Sequence, residues 1–143
     1  MVSNQIRTAS TQWQGPLIGG HGKVSLDSSG SAQFAVDWST RSGAPHGRTS
    51  PEELLAAAHS ACFAMALARA LAASGTPAKT LNTHADIIFQ SDAHIAGIRL
   101  TVRASVPGVS TKDFVRIAQK TKRLCPVSKA LAGTMTTLIA YLV

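Results

Sequence analysis

Two cysteines stand in settings where a thiol could do chemistry. Cys62 lies in the alanine-rich run HSACFAMALA (59–68), and Cys125 in LCPVSKAL (124–131). A thiolate is a nucleophile and a metal ligand, whereas a buried cysteine without activating neighbours is only a small hydrophobe. The surroundings therefore decide. Cys125 directly precedes Pro126. With Pro126 as the first helical residue, Cys125 is the N-cap, facing free backbone N–H groups and the positive helix end. Both favour the thiolate, and Lys122, Arg123 and Lys129 push the same way from nearby in sequence. The alternative is a cysteine that merely fits a helix start.

Cys62 falls about three turns into a predicted helix, where the helix dipole helps little. It needs a cation from elsewhere. The candidates are Arg41 and Arg48, in the stretch before the helix, with Glu52 available to orient either one. Ten helical residues span about 15 Å, and Glu52 and Cys62 do not share a face. Glu52 therefore cannot act on the thiol directly unless the helix breaks between them. His59 does share a face with Cys62. An imidazole there could raise the thiolate population or supply half of a metal site. Zinc, however, wants three or four protein ligands, which would require Cys125 plus His84 or His94. No metal is expected, and His59 reads as a hydrogen-bonded core histidine.

The elements that must position these residues have clear signatures. Residues 4–13 are short, polar and modestly strand-like. HGKVSLDSSGSAQFAVDW (21–38) reads as a hairpin, with Ala32, Phe34, Val36 and Trp38 on one face and a turn at Asp27–Gly30. Residues 39–50 form a loop. Ser50, Pro51 and Glu53 make a helix start, with Ser50 as N-cap and Glu53 closing a capping box. The helix runs to about Ala73 and is stopped by Gly75 and Pro77. Strands follow at 80–90 and 98–106, joined by SDAHIAG (91–97). Ser110 caps a helix through about Leu124, Pro126 opens a shorter one closed by Gly133, and TMTTLIAYLV ends the chain as a strand. This order predicts one α+β domain over 1–143, with the long apolar helix laid across sheet.

The totals narrow the function. With 143 residues and 45% hydrophobic content, the chain can bury a core and is not of disordered composition. Two cysteines exclude a disulfide-stapled scaffold. The first 14 residues lack a basic segment followed by an apolar one, so no signal peptide is read and a reducing cytoplasm is the default compartment. The run Leu54–Ala73 is mostly alanine and carries His59, Ser60 and Arg69, which makes it a poor membrane span and a good buried helix. The net charge of +7 raises nucleic acid as a partner. Its one concentration, Lys112, Arg116 and Lys120, forms one face of a helix whose other face carries Phe114, Ile117, Thr121 and Leu124. That is the pattern of a solvated face, and no nucleic-acid partner is expected.

RTSPEELLAAAHSACFAMALARAL (48–71) and KTKRLCPVSKAL (120–131) together resemble the osmotically inducible protein C (OsmC) and organic hydroperoxide resistance (Ohr) family. The shared pattern is a T-x-P-E-x-L helix start, a cysteine ten residues after the glutamate, and a C-P-[VI]-S motif about sixty residues later. His59 and WSTR (38–41) resemble the OsmC branch more than the Ohr branch. The resemblance implies antiparallel sheets packed around a long central helix, in an intertwined homodimer with its active sites at the interface. It implies a thiol peroxidase that reduces organic hydroperoxides without a cofactor and is recharged by a dithiol reductant, such as a lipoylated protein or thioredoxin. Cys62 is then peroxidatic and Cys125 resolving, while Arg41 supports the thiolate and Glu52 holds that arginine. Phe63 and Met65 are candidates for the apolar substrate wall, against the simpler reading of both as core.

Overall fold

The computed structural model describes residues 2–90, 92 and 94–143. They form two compact units, one ending at Pro51 and the other spanning Glu52–Val143.

The first unit is a meander of β1 (Ser10–Gln14), β2 (His21–Ser25) and β3 (Gln33–Val36), each antiparallel to the next. Val24 pairs with Phe34, and Gly22 with Val36, so the apolar side of the predicted hairpin falls on one face. The strand ends at Val36, before Trp38. Where the sequence predicts only loop, Ser39–Ser42 form a single helical turn, α1. Asp37 makes that turn: its carboxylate accepts from the Ser39 hydroxyl (2.6 Å) and the Thr40 N–H (3.3 Å). An Asx side chain bonding the backbone just ahead of it is a local device that hydrophobic patterning does not reveal.

The second unit begins with α2 (Pro51–Ala73), whose bounds agree with the predicted start and stop. Gly75, at φ 82°, closes it: the Thr76 N–H reaches Leu71 O at 3.0 Å, and the Gly75 N–H reaches Ala72 O at 3.0 Å. β4 (Thr80–Gln90) runs antiparallel to β5 (His94–Ser105), with a register shift at Ile88/Phe89. β5 begins within the predicted connection, of which Ser91 and Ala93 lie outside the described residues. α3 (Thr111–Leu124) is capped by Ser110, whose hydroxyl accepts from the Asp113 N–H at 3.1 Å. α4 (Pro126–Ala130) is shorter than expected and ends before Gly133. β6 (Thr136–Leu142) then pairs with β5 in parallel. The expectation of antiparallel sheets is corrected here: the second sheet, β4-β5-β6, is mixed. Two helices separate β5 from β6, and a long helical crossover lets a strand return in the same direction.

The core of this unit joins Phe63, Leu67 and Leu71 of α2 to Leu100, Val102 and Ala104 of β5, Phe114, Ile117 and Ala118 of α3, Leu138 of β6, and Cys125. The α2 contribution repeats every fourth residue, His59, Phe63, Leu67 and Leu71, which is one stripe of the helix. The expectation that the whole helix is buried needs correction. Ala57, Ala58, Ala61, Met65, Ala68 and Ala72 face outward and are exposed. By length and composition α2 also meets the measure of a membrane span, although its buried stripe belongs to the core around β5. On α3, Lys112, Arg116 and Lys120 are exposed opposite buried Phe114, Ile117 and Thr121.

Candidate active site

Two turns of chain geometry bring the sulfurs together. α2 carries Cys62 about three turns from its start. α3 must stop at Leu124, because Pro126 pushes the residue before it out of helical conformation, and Cys125 is extended (φ −59°, ψ 134°). Its backbone is nonetheless tied on both sides: its N–H donates to Thr121 O and its carbonyl accepts from the Lys129 N–H, both at 3.0 Å. Cys125 is thus the C-cap of α3 and the N-cap of α4. Both cysteines are free thiols, with their Sγ atoms 3.4 Å apart.

The two sulfurs are not equivalent. Cys125 is fully enclosed, whereas Cys62 is partly open. Cys62 lines an apolar cleft of about 540 Å³, beside Met65, Arg69, Ala70, Leu124 and Pro126. Burial pushes the Cys62 thiol up, the neighbouring Cys125 adds to the rise, and the Val127 N–H opposes it. Burial also pushes Cys125 up, but hydrogen bonds from the Ser128 hydroxyl and N–H, from Cys62 and from the Val127 N–H outweigh it and hold this thiol below its ordinary range. The main acidifying groups are these donors, rather than the flanking Lys122, Arg123 and Lys129. Thiols this close lose protons as a pair, and within this unit the first negative charge favours Cys125.

Behind Cys125 stands a polar chain. The Ser128 hydroxyl lies 3.5 Å from Cys125 Sγ and 2.7 Å from His59 Nε2. His59 is fully enclosed, its Nδ1 has no hydrogen-bond partner among the described residues, and burial pushes its pKa below the ordinary value, so the ring is neutral. His59 is therefore the hydrogen-bonded core histidine that the sequence predicts. Ser128 enters the sequence reading only as the last residue of the C-P-[VI]-S motif, with no role given to it. Its position three residues after Cys125, on the first turn of α4, was the available signal.

Phe63 is corrected. It is fully enclosed in the core and does not line the cleft, because it follows the His59–Leu71 stripe rather than the Cys62 face. Met65, 74% exposed, does line it. Glu52 is buried in the first turn of α2, ten residues ahead of Cys62. In the first unit, the Arg48 guanidinium pairs with the Asp37 carboxylate, while Arg41 lies over the Trp38 ring, 5.4 Å from its centroid. Among the described residues no group of three or more His, Cys, Asp or Glu side chains is placed to hold a metal ion. His84 lies on the exposed side of β4, and His94 pairs with Asp92 at 2.5 Å.

A pair of close, free thiols can be oxidised to a disulfide and reduced again, which defines a thiol-redox site. Comparison with known proteins gives the family. The sequence model of the OsmC-like protein family matches residues 43–139. The chain is 35% identical over 133 residues to Peroxiredoxin OsmC of Escherichia coli (strain K12), covering 91% of this chain and 92% of that protein, and matches Peroxiredoxin OsmC of Shigella flexneri to the same extent. The chain belongs to the OsmC-like family. Solved structures agree on the fold. An OsmC-like protein from Mycoplasma pneumoniae superposes with a TM-score of 0.76 at 14% identity, covering 99% of each chain. The organic hydroperoxide resistance protein OhrB of Bacillus subtilis does so with a TM-score of 0.66 at 23% identity, covering 95% of this chain and 98% of that one.

Proposed function

We propose that the protein reduces organic hydroperoxides to alcohols by a two-cysteine mechanism. The observation that carries this reading is the 3.4 Å sulfur pair, with one member at an apolar cleft and the other enclosed. Only Cys62 borders space that a substrate could enter, which supports it as the peroxidatic residue. Its thiolate attacks the distal peroxide oxygen, the O–O bond breaks, and the alkoxide leaves with a proton as the alcohol. Cys62 becomes a sulfenic acid, and Cys125 condenses with it to form a disulfide and water. A dithiol reductant returns the two electrons. No other cofactor enters.

A thiol whose pKa is raised by burial needs a cation to ionise near neutral pH. We assign that role to Arg41, oriented by Glu52, as the family resemblance implies. A guanidinium does not lose its proton and stabilises both the thiolate and the negative charge developing on the leaving oxygen. Met65 and the alanines of the cleft would favour apolar substrates over hydrogen peroxide. The exposed apolar face of α2 supports a homodimer, since a continuous apolar strip of this kind marks an association surface. A resting dithiol suits a reducing cytoplasm.

The test is a thiol count on reduced protein before and after one equivalent of cumene hydroperoxide. Loss of both thiols in the parent, with a trapped sulfenic acid on Cys62 in Cys125→Ser, is expected. Two unreacted thiols would overturn the reading.

A further inference from the structure

We propose that His59 and Ser128 are positioning residues that deliver a directed hydrogen bond to Cys125 and so set how readily it closes the disulfide. The proposal rests on the two-cysteine reading for its role in turnover, but its geometry stands apart from any peroxide.

The first observation is the place of His59. The other members of its stripe, Phe63, Leu67 and Leu71, are apolar and fully enclosed. An imidazole in such a position carries a desolvation cost that leucine would not, and a buried polar ring persists where its hydrogen bonding is used. Among the described residues its one side-chain partner is Ser128, at 2.7 Å.

The second observation is direction. A serine hydroxyl has a single hydrogen to donate. If Ser128 donates it to Cys125 Sγ, then His59 must carry its proton on Nε2 and donate to Ser128 Oγ, leaving Nδ1 as a bare acceptor. In the other tautomer Ser128 donates to His59, Cys125 loses its donor, and a buried Nδ1–H has nothing to bond. The first arrangement loses less, because it leaves no orphaned donor. It gives one chain of donors, His59 Nε2–H to Ser128 Oγ–H to Cys125 Sγ, with Cys62 Sγ 3.4 Å beyond. Hydrogen bonds in series polarise one another, and this series ends on sulfur.

The consequence falls on the resolving step. The Cys125 thiolate attacks the Cys62 sulfenic sulfur, the S–S bond forms and the S–O bond breaks. The departing hydroxide takes up the equivalent of the proton that Cys125 surrendered and leaves as water. A donor fixed on Cys125 raises the thiolate population at neutral pH. The groups that titrate in this hydrogen-bonded series are Cys125 itself and, from α2, Cys62 and His59, with Arg69 of α2 lining the cleft beside Cys62. Lys122 and Arg123 of α3 and Lys129 of α4 adjoin Cys125 in sequence. The strands in the same core contribute Leu100, Val102 and Leu138, which do not titrate.

The experiment follows the ultraviolet absorbance of the Cys125 thiolate against pH, in the Cys62→Ser background, because Cys125 is fully enclosed and no reagent then has to reach it. Ser128→Ala is expected to move the midpoint up by about one pH unit, or roughly tenfold in thiolate at neutral pH, as loss of one bond to a charged acceptor requires. Ser128→Thr, which keeps the hydroxyl, restores it. His59→Leu, matched to the apolar stripe, moves the midpoint in the same direction. Superposable profiles for parent, Ser128→Ala and His59→Leu would overturn the proposal. A second measurement needs no substitution: nitrogen NMR of the reduced parent is expected to show His59 protonated at Nε2, and a proton on Nδ1 would overturn it. Neither readout uses a peroxide, so this proposal and the peroxidase reading can fail separately.

Discussion

Phe63 and Met65 lie two residues apart on α2, and their substitution should separate packing from substrate contact. Phe63 is fully enclosed, among Leu67, Leu100, Phe114 and the rest of the core, whereas Met65 is 74% exposed at the cleft. Truncating an enclosed phenylalanine to alanine costs about 3–5 kcal/mol, the sum of lost transfer energy and the cavity left behind. For a chain near 150 residues each kcal/mol lowers the melting temperature by about 4 °C, so Phe63→Ala should melt roughly 12–20 °C lower. Met65→Ala removes a side chain outside the core of its own chain, so its stability cost should fall well below that of Phe63→Ala. The assay is thermal and urea unfolding of the reduced proteins at one fixed concentration, because association alters apparent stability. Paired with it is KM for cumene hydroperoxide, measured well below the melting range. Met65→Ala should raise KM with little change in kcat, and Phe63→Ala should lower stability with little change in KM. A Phe63→Ala protein that keeps its melting temperature yet loses affinity for the hydroperoxide would refute the placement of Phe63 in the core.

Arg41→Ala should lower peroxidase kcat/KM by about 10²–10³-fold, the usual consequence of removing one group that stabilises developing charge, with Arg48→Ala far milder; stopped-flow peroxide consumption checks both. His59 supplies a pH dependence. Its folded pKa lies below the ordinary 6.5, so as pH falls through 6.5 the unfolded chain takes up a proton that the folded chain refuses. Stability should therefore fall as pH drops from 6.5 toward the lowered folded pKa, by at most about 1.4 kcal/mol per pH unit, and urea midpoints of His59→Leu should lack this component. Gly75→Ala should cost about 1 kcal/mol, because φ 82° strains any side chain even where nothing crowds it, and urea unfolding reads the loss directly.

The sequence carried α2 almost residue for residue, because its ends are written in local chemistry: Pro51 and two glutamates at one end, Gly75 at the other. β4 and β5 could likewise be read from alternation, and Ser110 from its capping pattern. What could not be read depends on contacts between distant residues. The parallel return of β6 is a property of the crossover. The turn at Ser39–Ser42 hangs on one Asp37 carboxylate, which also takes Arg48 as its partner. At the site, the spacing of residues named both cysteines. The greater acidity of Cys125 was legible in its N-cap position, since the Ser128 and Val127 N–H groups contribute to it, but the Ser128 hydroxyl and the sulfur–sulfur contact were not, and the cations beside it in sequence are not among the causes.

The backbone anchoring of Cys125 between α3 and α4 bears on how the oxidised enzyme would be reset. With its N–H and carbonyl both held, Cys125 is a fixed post, and the cleft opens only toward Cys62. An incoming dithiol would have to strike the Cys62 sulfur and expel Cys125. In thiol exchange the more acidic sulfur departs faster, and here that is Cys125. The hydrogen bonds that prepare Cys125 to close the bridge thus also make it the better leaving group when the bridge is opened, so recharging should have one built-in direction of attack.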